Sequence, residues 1–171
     1  MKTEYLLNRE VDLVLSALTP VNRLVMRVAV YTGLRLSDVL SLRTDQLARQ
    51  FWITESKTKK RRHVGLSESL LSDLRAQAGK VWVFENARNP ANHRTRQAVW
   101  KDVKRAASAF RLPQNVAPHS FRKVYAVDLL QKYGDLARVR RALNHSSDSV
   151  TMIYAMADAQ LRAKYKRRRK R

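Results

Sequence analysis

Six polar side chains of this sequence have the types and settings needed to hold and cut a phosphodiester. Pro118-His119-Ser120-Phe121-Arg122 sets a histidine and an arginine three residues apart at a predicted helix start. They therefore share a face, and a helix N-terminus favours an anion. Arg35 stands in Thr32-Gly33-Leu34-Arg35-Leu36-Ser37-Asp38, in a tight connection between predicted helices. Its planar fork can bind two phosphate oxygens at once. Lys57 lies in Glu55-Ser56-Lys57-Thr58 and is read as last on a strand, where position is best defined; Lys59, Lys60, Arg61 and Arg62 follow, and composition does not choose among them. His145 comes after Leu143-Asn144, and Tyr154 closes Thr151-Met152-Ile153-Tyr154. A tyrosine nucleophile needs cationic groups and a base within reach. Each residue also has a plainer reading on its own: a surface pair, a solvated loop arginine, a structural histidine, a half-buried tyrosine.

The elements that must carry these residues are legible in the apolar spacing. Asn8 is the expected N-cap of a helix with Val11, Val14, Leu15 and Leu18 on one face, broken at Thr19-Pro20. Leu24, Val25, Val28, Ala29 and Tyr31 mark a second helix that ends at Gly33, and Ser37 is the expected cap of a short third one. Residues 51–57 and 61–66 read as a β-hairpin with a basic tip, and Val81-Trp82-Val83-Phe84 as a third short strand. Ser67 caps a helix carrying Leu70, Leu71 and Leu74; Asn89-Pro90-Ala91-Asn92 reads as a loop; Thr95 to Phe110 is helical with Val99, Val103, Ala106 and Ala107 inward. Helices follow at about 119–132 and 135–143, then one capped by Ser147, then a last piece from Asp158. The expected class is α+β, mostly α-helical with a small three-stranded antiparallel sheet, in one domain.

Composition narrows the partner. The 171 residues hold 35 Lys and Arg against 14 Asp and Glu, a formal charge of +21. A field of that size calls for a polyanion, and nucleic acid leads because phosphates release counterions when neutralised. Lys59, Lys60, Arg61, Arg62, Arg94, Arg96 and Lys123 are the candidate DNA contacts. There is no cysteine, which removes disulfides, zinc thiolates and thiol nucleophiles. The four histidines lack metal-pairing spacing, no glycine-rich phosphate loop occurs, and the acidic residues are scattered, so neither a metal nor a cofactor is expected. No apolar run of about 18 residues suggests a membrane span. The N-terminus lacks a signal-peptide pattern.

The four segments, in this order, resemble the catalytic domain of the tyrosine recombinases, the phage integrase family, from the helix at residue 9 to Tyr154. The resemblance implies that Arg35 and Arg122 bind the non-bridging oxygens of the scissile phosphate. Tyr154 would attack phosphorus to give a 3′-phosphotyrosyl enzyme, and Lys57 would protonate the leaving 5′-oxygen. His119 would assist proton transfer, and His145 would hydrogen-bond a phosphate oxygen. Rejoining would need neither metal nor ATP. The family usually has glycine where Asn144 stands, and asparagine also tolerates the left-handed conformation. Most members carry an N-terminal helical domain, whereas here the first helix starts near residue 9. The implied form is a short recombinase or a fragment, with residues 1–165 as the catalytic domain and 166–171 as a basic tail. Double-stranded DNA, a homotetramer on that DNA, and a cytoplasmic, nucleoid-associated place in a bacterial or phage-infected cell follow from the same likeness. Topoisomerase-like relaxation, telomere resolution, a DNA-binding module without catalysis and an RNA-associated protein are the competing functions.

Overall fold

The computed structural model describes residues 5–144. The expectations for His145, for Tyr154, for the helices after Ser147 and Asp158 and for the basic tail lie outside the described residues. Helices α1 (Asn8–Ala17), α2 (Pro20–Thr32) and α3 (Leu36–Leu40) come first. The hairpin β1 (Gln50–Thr54) and β2 (Arg61–Gly65) leads to α4 (Glu68–Gln77). A second hairpin, β3 (Glu85–Asn86) and β4 (Asn89–His93), precedes α5 (Arg96–Ala109), α6 (Pro118–Tyr133) and α7 (Leu136–Leu143). α2 packs on α6, α1 on α5, and α6 on α7. Val25, Val28, Leu34, Val99, Val103, Phe121, Val124 and Leu143 are among the residues buried in the shared core.

The helical majority agrees with the sequence reading, and the sheet differs in detail. Among the described residues there are two separate two-stranded antiparallel sheets in place of one with three strands. Val81–Phe84 does not extend the first hairpin. It runs beside residues 42–44, with Thr44 N donating to Val81 O (3.0 Å) and Val83 N to Leu42 O (3.0 Å). Val83 and Phe84 are apolar because they enter the helical core, a pattern that short-range periodicity does not separate from a strand. Asn89–Asn92, read as a loop, belongs to the strand Asn89–His93, which pairs with Glu85–Asn86. In a two-stranded ribbon every strand has an open edge, so Pro90 need not donate.

Two caps also differ. Leu7, not Asn8, is the cap position of α1, and Glu10 in the first turn reaches back to it, its carboxylate accepting from Leu7 N at 2.8 Å. The cap position of α3 is Arg35, not Ser37. Its carbonyl accepts from Asp38 N (2.9 Å) and Val39 N (3.0 Å), so the backbone that carries the Arg35 side chain is fixed from behind. Ser67 caps α4 as expected, accepting from Leu70 N.

Gly33 closes α2 at φ 65°, with its N–H on Ala29 O. A β-carbon there would collide with the ring of Tyr125 on α6. Gly33→Ala thus combines a left-handed backbone with overpacking, and we expect it to lower folding stability by about 3 kcal/mol in urea denaturation. A loss below about 0.5 kcal/mol would mean that Tyr125 simply moves aside.

α5 is pinned to the α1–α2 turn by Asp102. Its carboxylate accepts from Thr19 N (3.0 Å), Thr19 Oγ1 (2.8 Å), Asn22 Nδ2 (2.7 Å) and Arg105 Nη2 (2.6 Å). Burial works against its ionisation, but these donors outweigh it and hold the pKa at about 2.

Candidate active site

Three separated segments meet α5 around one cavity of about 930 Å³. The α2–α3 connection and the first turn of α3 bring Leu34, Arg35 and Ser37, the β1–β2 turn brings Ser56 and Lys57, and the start of α6 brings His119 and Arg122. Four of the six predicted catalytic residues therefore share one space. His145 and Tyr154 lie outside the described residues.

Arg122 is 2% exposed, and its guanidinium is held on two sides. Nη1 donates to Gly33 O, and Nη2 donates to Leu143 O at 2.6 Å. One acceptor ends α2 and the other ends α7, so this arginine ties three helices while lining the cavity. Asn144, which follows that second carbonyl, takes the left-handed conformation at φ 50°, so the turn survives without glycine.

Arg35 is held by a residue to which the sequence reading gave no role. Its Nη1 donates to Glu55 Oε2 at 2.6 Å. Glu55 is 0% exposed, just beyond the end of β1. Burial raises the pKa of this carboxyl, and hydrogen bonds from Thr58 and Arg35 overcome that, leaving it lowered and the group ionised. Asp38, also buried, accepts from Ser56 N (2.9 Å) and Ser56 Oγ (2.6 Å), which fastens the β1–β2 turn to α3. Lys57 is not last on the strand: β1 ends at Thr54, and Lys57 sits exposed in the turn. The turn is nonetheless defined, by Asp38 and by Lys59 N donating to Glu55 O at 2.9 Å.

His119 is exposed at the cavity, yet its pKa is lowered to about 4. Desolvation by surrounding protein is the largest cause, followed by Lys123, Arg122, Arg35 and Lys57. Because the residue remains open to solvent, the four cations secure the direction of the shift more firmly than burial does. The imidazole is thus neutral at pH 7 and can accept a proton. We expect its Cε1–H resonance in the DNA-free protein to titrate near pH 4 and not near 6.5. The unfolded chain then binds the proton first, so stability from this group is full above about pH 6.5 and is lost as pH falls through about 4. A midpoint at or above 6.5 would contradict the cationic environment.

The candidate DNA contacts divide. Lys59, Lys60 and Arg61 are exposed on the hairpin, with Arg61 over the Trp52 ring (5.0 Å). Arg96 lines the cavity. Lys123 is half-buried one turn from His119, whose proton affinity its charge lowers. Arg94 turns away to donate Nε to Asn22 Oδ1 at 2.6 Å. Arg62 is a correction: it is 8% exposed and donates to Thr32 O and Gly33 O. The alternation of β2 decides this, since Arg62 points inward with Val64 while Arg61 and His63 face out. Sequence reasoning passed over Gln97, Trp100 and Lys101, which line the cavity on α5. The signal was available, because Trp100 lies off the Val99–Val103–Ala106 stripe and is 48% exposed.

A sequence profile of the phage integrase family matches residues 4–160. The chain belongs to the phage integrase family. A probable integrase/recombinase of Bacillus subtilis, YoeC, is 33% identical over 144 residues, which cover 80% of this chain and 78% of YoeC. The tyrosine recombinase XerD of Lacticaseibacillus casei is 33% identical over 147 residues, covering 78% of this chain and 49% of XerD. The chain thus spans about half the length of that relative. XerH recombinase bound to its difH substrate superimposes with a TM-score of 0.69 at 27% identity, over 88% of this chain and 50% of XerH. The catalytic domain of bacteriophage HP1 integrase gives 0.69 at 24% identity, over 91% of this chain and 89% of that domain. The fold is that of a tyrosine recombinase catalytic domain. Among the described residues no helix is long and apolar enough to cross a membrane.

Proposed function

We propose that this chain cleaves and rejoins duplex DNA at specific sites through a 3′-phosphotyrosyl intermediate, with Tyr154 as nucleophile and without metal or ATP. The observation that carries this reading is the convergence of Arg35, Lys57, His119 and Arg122 on one cavity within this family's fold. Arg35 and Arg122 bind the scissile phosphate and stabilise the charge that grows on its oxygens. Neutral His119 accepts the phenolic proton as Tyr154 attacks phosphorus, and His145 hydrogen-bonds a phosphate oxygen. Lys57 protonates the departing 5′-oxygen, and its exposed turn lets it travel with the DNA. The covalent phosphotyrosine keeps the energy of the broken bond, so a 5′-hydroxyl can reseal it. Residues 1–165 form the catalytic domain, and the basic segment 166–171 adds contacts to the DNA backbone. Lys59, Lys60, Arg61, Arg94, Arg96 and Lys123 remain the proposed DNA contacts, with Arg94 acting from its Asn22 anchor. The enzyme works as a homotetramer on DNA in the cytoplasm, at the nucleoid. XerH bound to difH is a DNA-bound neighbour that supports this reading.

The test is a library of nicked suicide duplexes with a randomised core, incubated in EDTA. The expected result is a protein–DNA adduct on a denaturing gel, whose recovered DNA shares one sequence and whose released fragment bears a free 5′-hydroxyl. Adducts spread over all sequences would favour topoisomerase-like relaxation. Binding with no adduct would make the chain a DNA-binding module.

A further inference from the structure

Beneath the two clamp arginines lies a buried layer that the proposed reaction does not itself use. Glu55 is its centre. Oε2 accepts from Arg35 Nη1 (2.6 Å) and from Thr58 Oγ1 (2.7 Å). Among the described residues Oε1 accepts no hydrogen bond, and it lies 3.6 Å from Arg62 Nη1. Arg62 in turn reaches Gly33 O, the same carbonyl that receives Arg122. One carboxylate is therefore coupled to Arg35 directly and to Arg122 through Arg62 and Gly33.

The atom that Glu55 takes matters. In a guanidinium, Nε–H and Nη2–H point along one edge and form the fork that matches two oxygens of a phosphate. Glu55 occupies Nη1 on the other side. Among the described residues Nη1 is the one Arg35 nitrogen with an acceptor, so the fork remains for a ligand in the cavity that Arg35 lines. An arginine without that hold would spread over rotamers and would be repelled by Arg122, Lys57 and Lys101 around the same space.

We propose that Glu55 is a positioning residue of the phosphate clamp: its buried carboxylate grips Arg35 by Nη1 and turns the Nε–Nη2 fork toward the scissile phosphate. This inference rests on the strand-cleavage reading above. The carboxylate contributes geometry without meeting DNA, and it offsets part of the repulsion among the cavity cations before DNA arrives.

The experiment uses the full chain and the duplex recovered from the adduct selection, under single-turnover conditions with DNA saturating. Glu55→Ala should slow adduct formation about 100-fold, with DNA affinity changed by less than about threefold. Glu55→Gln still offers an oxygen to Nη1 and should retain the rate to within about tenfold. Arg35→Ala should lose roughly 100- to 1,000-fold, and adding Glu55→Ala to it should cost less than about threefold more. A carboxylate that serves only folding would multiply with Arg35→Ala, because its effect would not pass through Arg35. Multiplying effects, or a wild-type rate in Glu55→Ala, overturn the proposal. A faster rate in Glu55→Ala overturns it too, since Glu55 would then compete with the phosphate for Arg35. Should Glu55→Ala fail to fold, Glu55→Gln alone decides, with a loss as large as that of Arg35→Ala counting against positioning. Absence of any adduct in the wild-type protein sinks the cleavage reading and this one with it, a result distinct from all the others.

Discussion

Tyr154→Phe is expected to abolish the covalent protein–DNA adduct while leaving DNA affinity within a few-fold of wild type. The change removes one oxygen and keeps the ring, so a loss of this kind reports the nucleophile and not packing. The cavity makes the experiment discriminating. Among the described residues that line it, the only hydroxyls belong to Ser37 and Ser56. Their oxygens lie 3.1 Å apart, and Ser56 Oγ already donates to the buried Asp38 carboxylate at 2.6 Å. Such a serine is the alternative nucleophile that the structure offers. An adduct that persists in Tyr154→Phe and disappears in Ser56→Ala would replace the assignment. Loss of the adduct in Tyr154→Phe with its retention in Ser56→Ala is the outcome the phosphotyrosyl chemistry requires.

Arg122→Lys is expected to lower the single-turnover cleavage rate by roughly 100- to 1,000-fold although the positive charge is kept. The guanidinium spans Gly33 O and Leu143 O with two different nitrogens. A lysine ammonium is a single point on a flexible stem and cannot reach both while facing a phosphate. One buried carbonyl would lose its donor, so folding stability should also fall by about 2 kcal/mol, read by urea denaturation. The two effects can be separated by measuring cleavage well below the unfolding midpoint, where the variant is fully folded. A rate within threefold of wild type would show that charge alone is enough and that the bidentate geometry is irrelevant.

The family and the helical majority were readable from the chain itself, and so was the local setting of the proposed clamp residues. Arg35 follows a glycine that must end a helix, and His119 and Arg122 are bound to one face by the helical period. Neither statement needs a distant contact. The run of cations after Lys57 also pointed to DNA without further help, since charge is a property of composition. Asn144 kept the turn for a local reason as well, because asparagine enters the left-handed region cheaply.

Long-range packing decided the rest. Arg61 and Arg62 are identical in type and adjacent, yet one is exposed over Trp52 while the other is buried against Gly33. Their fates follow from which face of the hairpin meets α2 and α6, and local sequence does not state that. Val81–Phe84 has the composition of a strand and serves as a core segment, because apolar residues answer to whatever surface covers them. Glu55 was the least legible residue of all. In sequence it is one acid before a basic turn; in the fold it is a buried anion 2.6 Å from Arg35 and 3.6 Å from Arg62. Sequence alone thus picked out the candidate groups, four of which the fold brings to one cavity, since side-chain types and short spacings are written in it. Tertiary structure alone decided what holds those groups in place, because a buried ion pair exists only where separate segments close over it and exclude water.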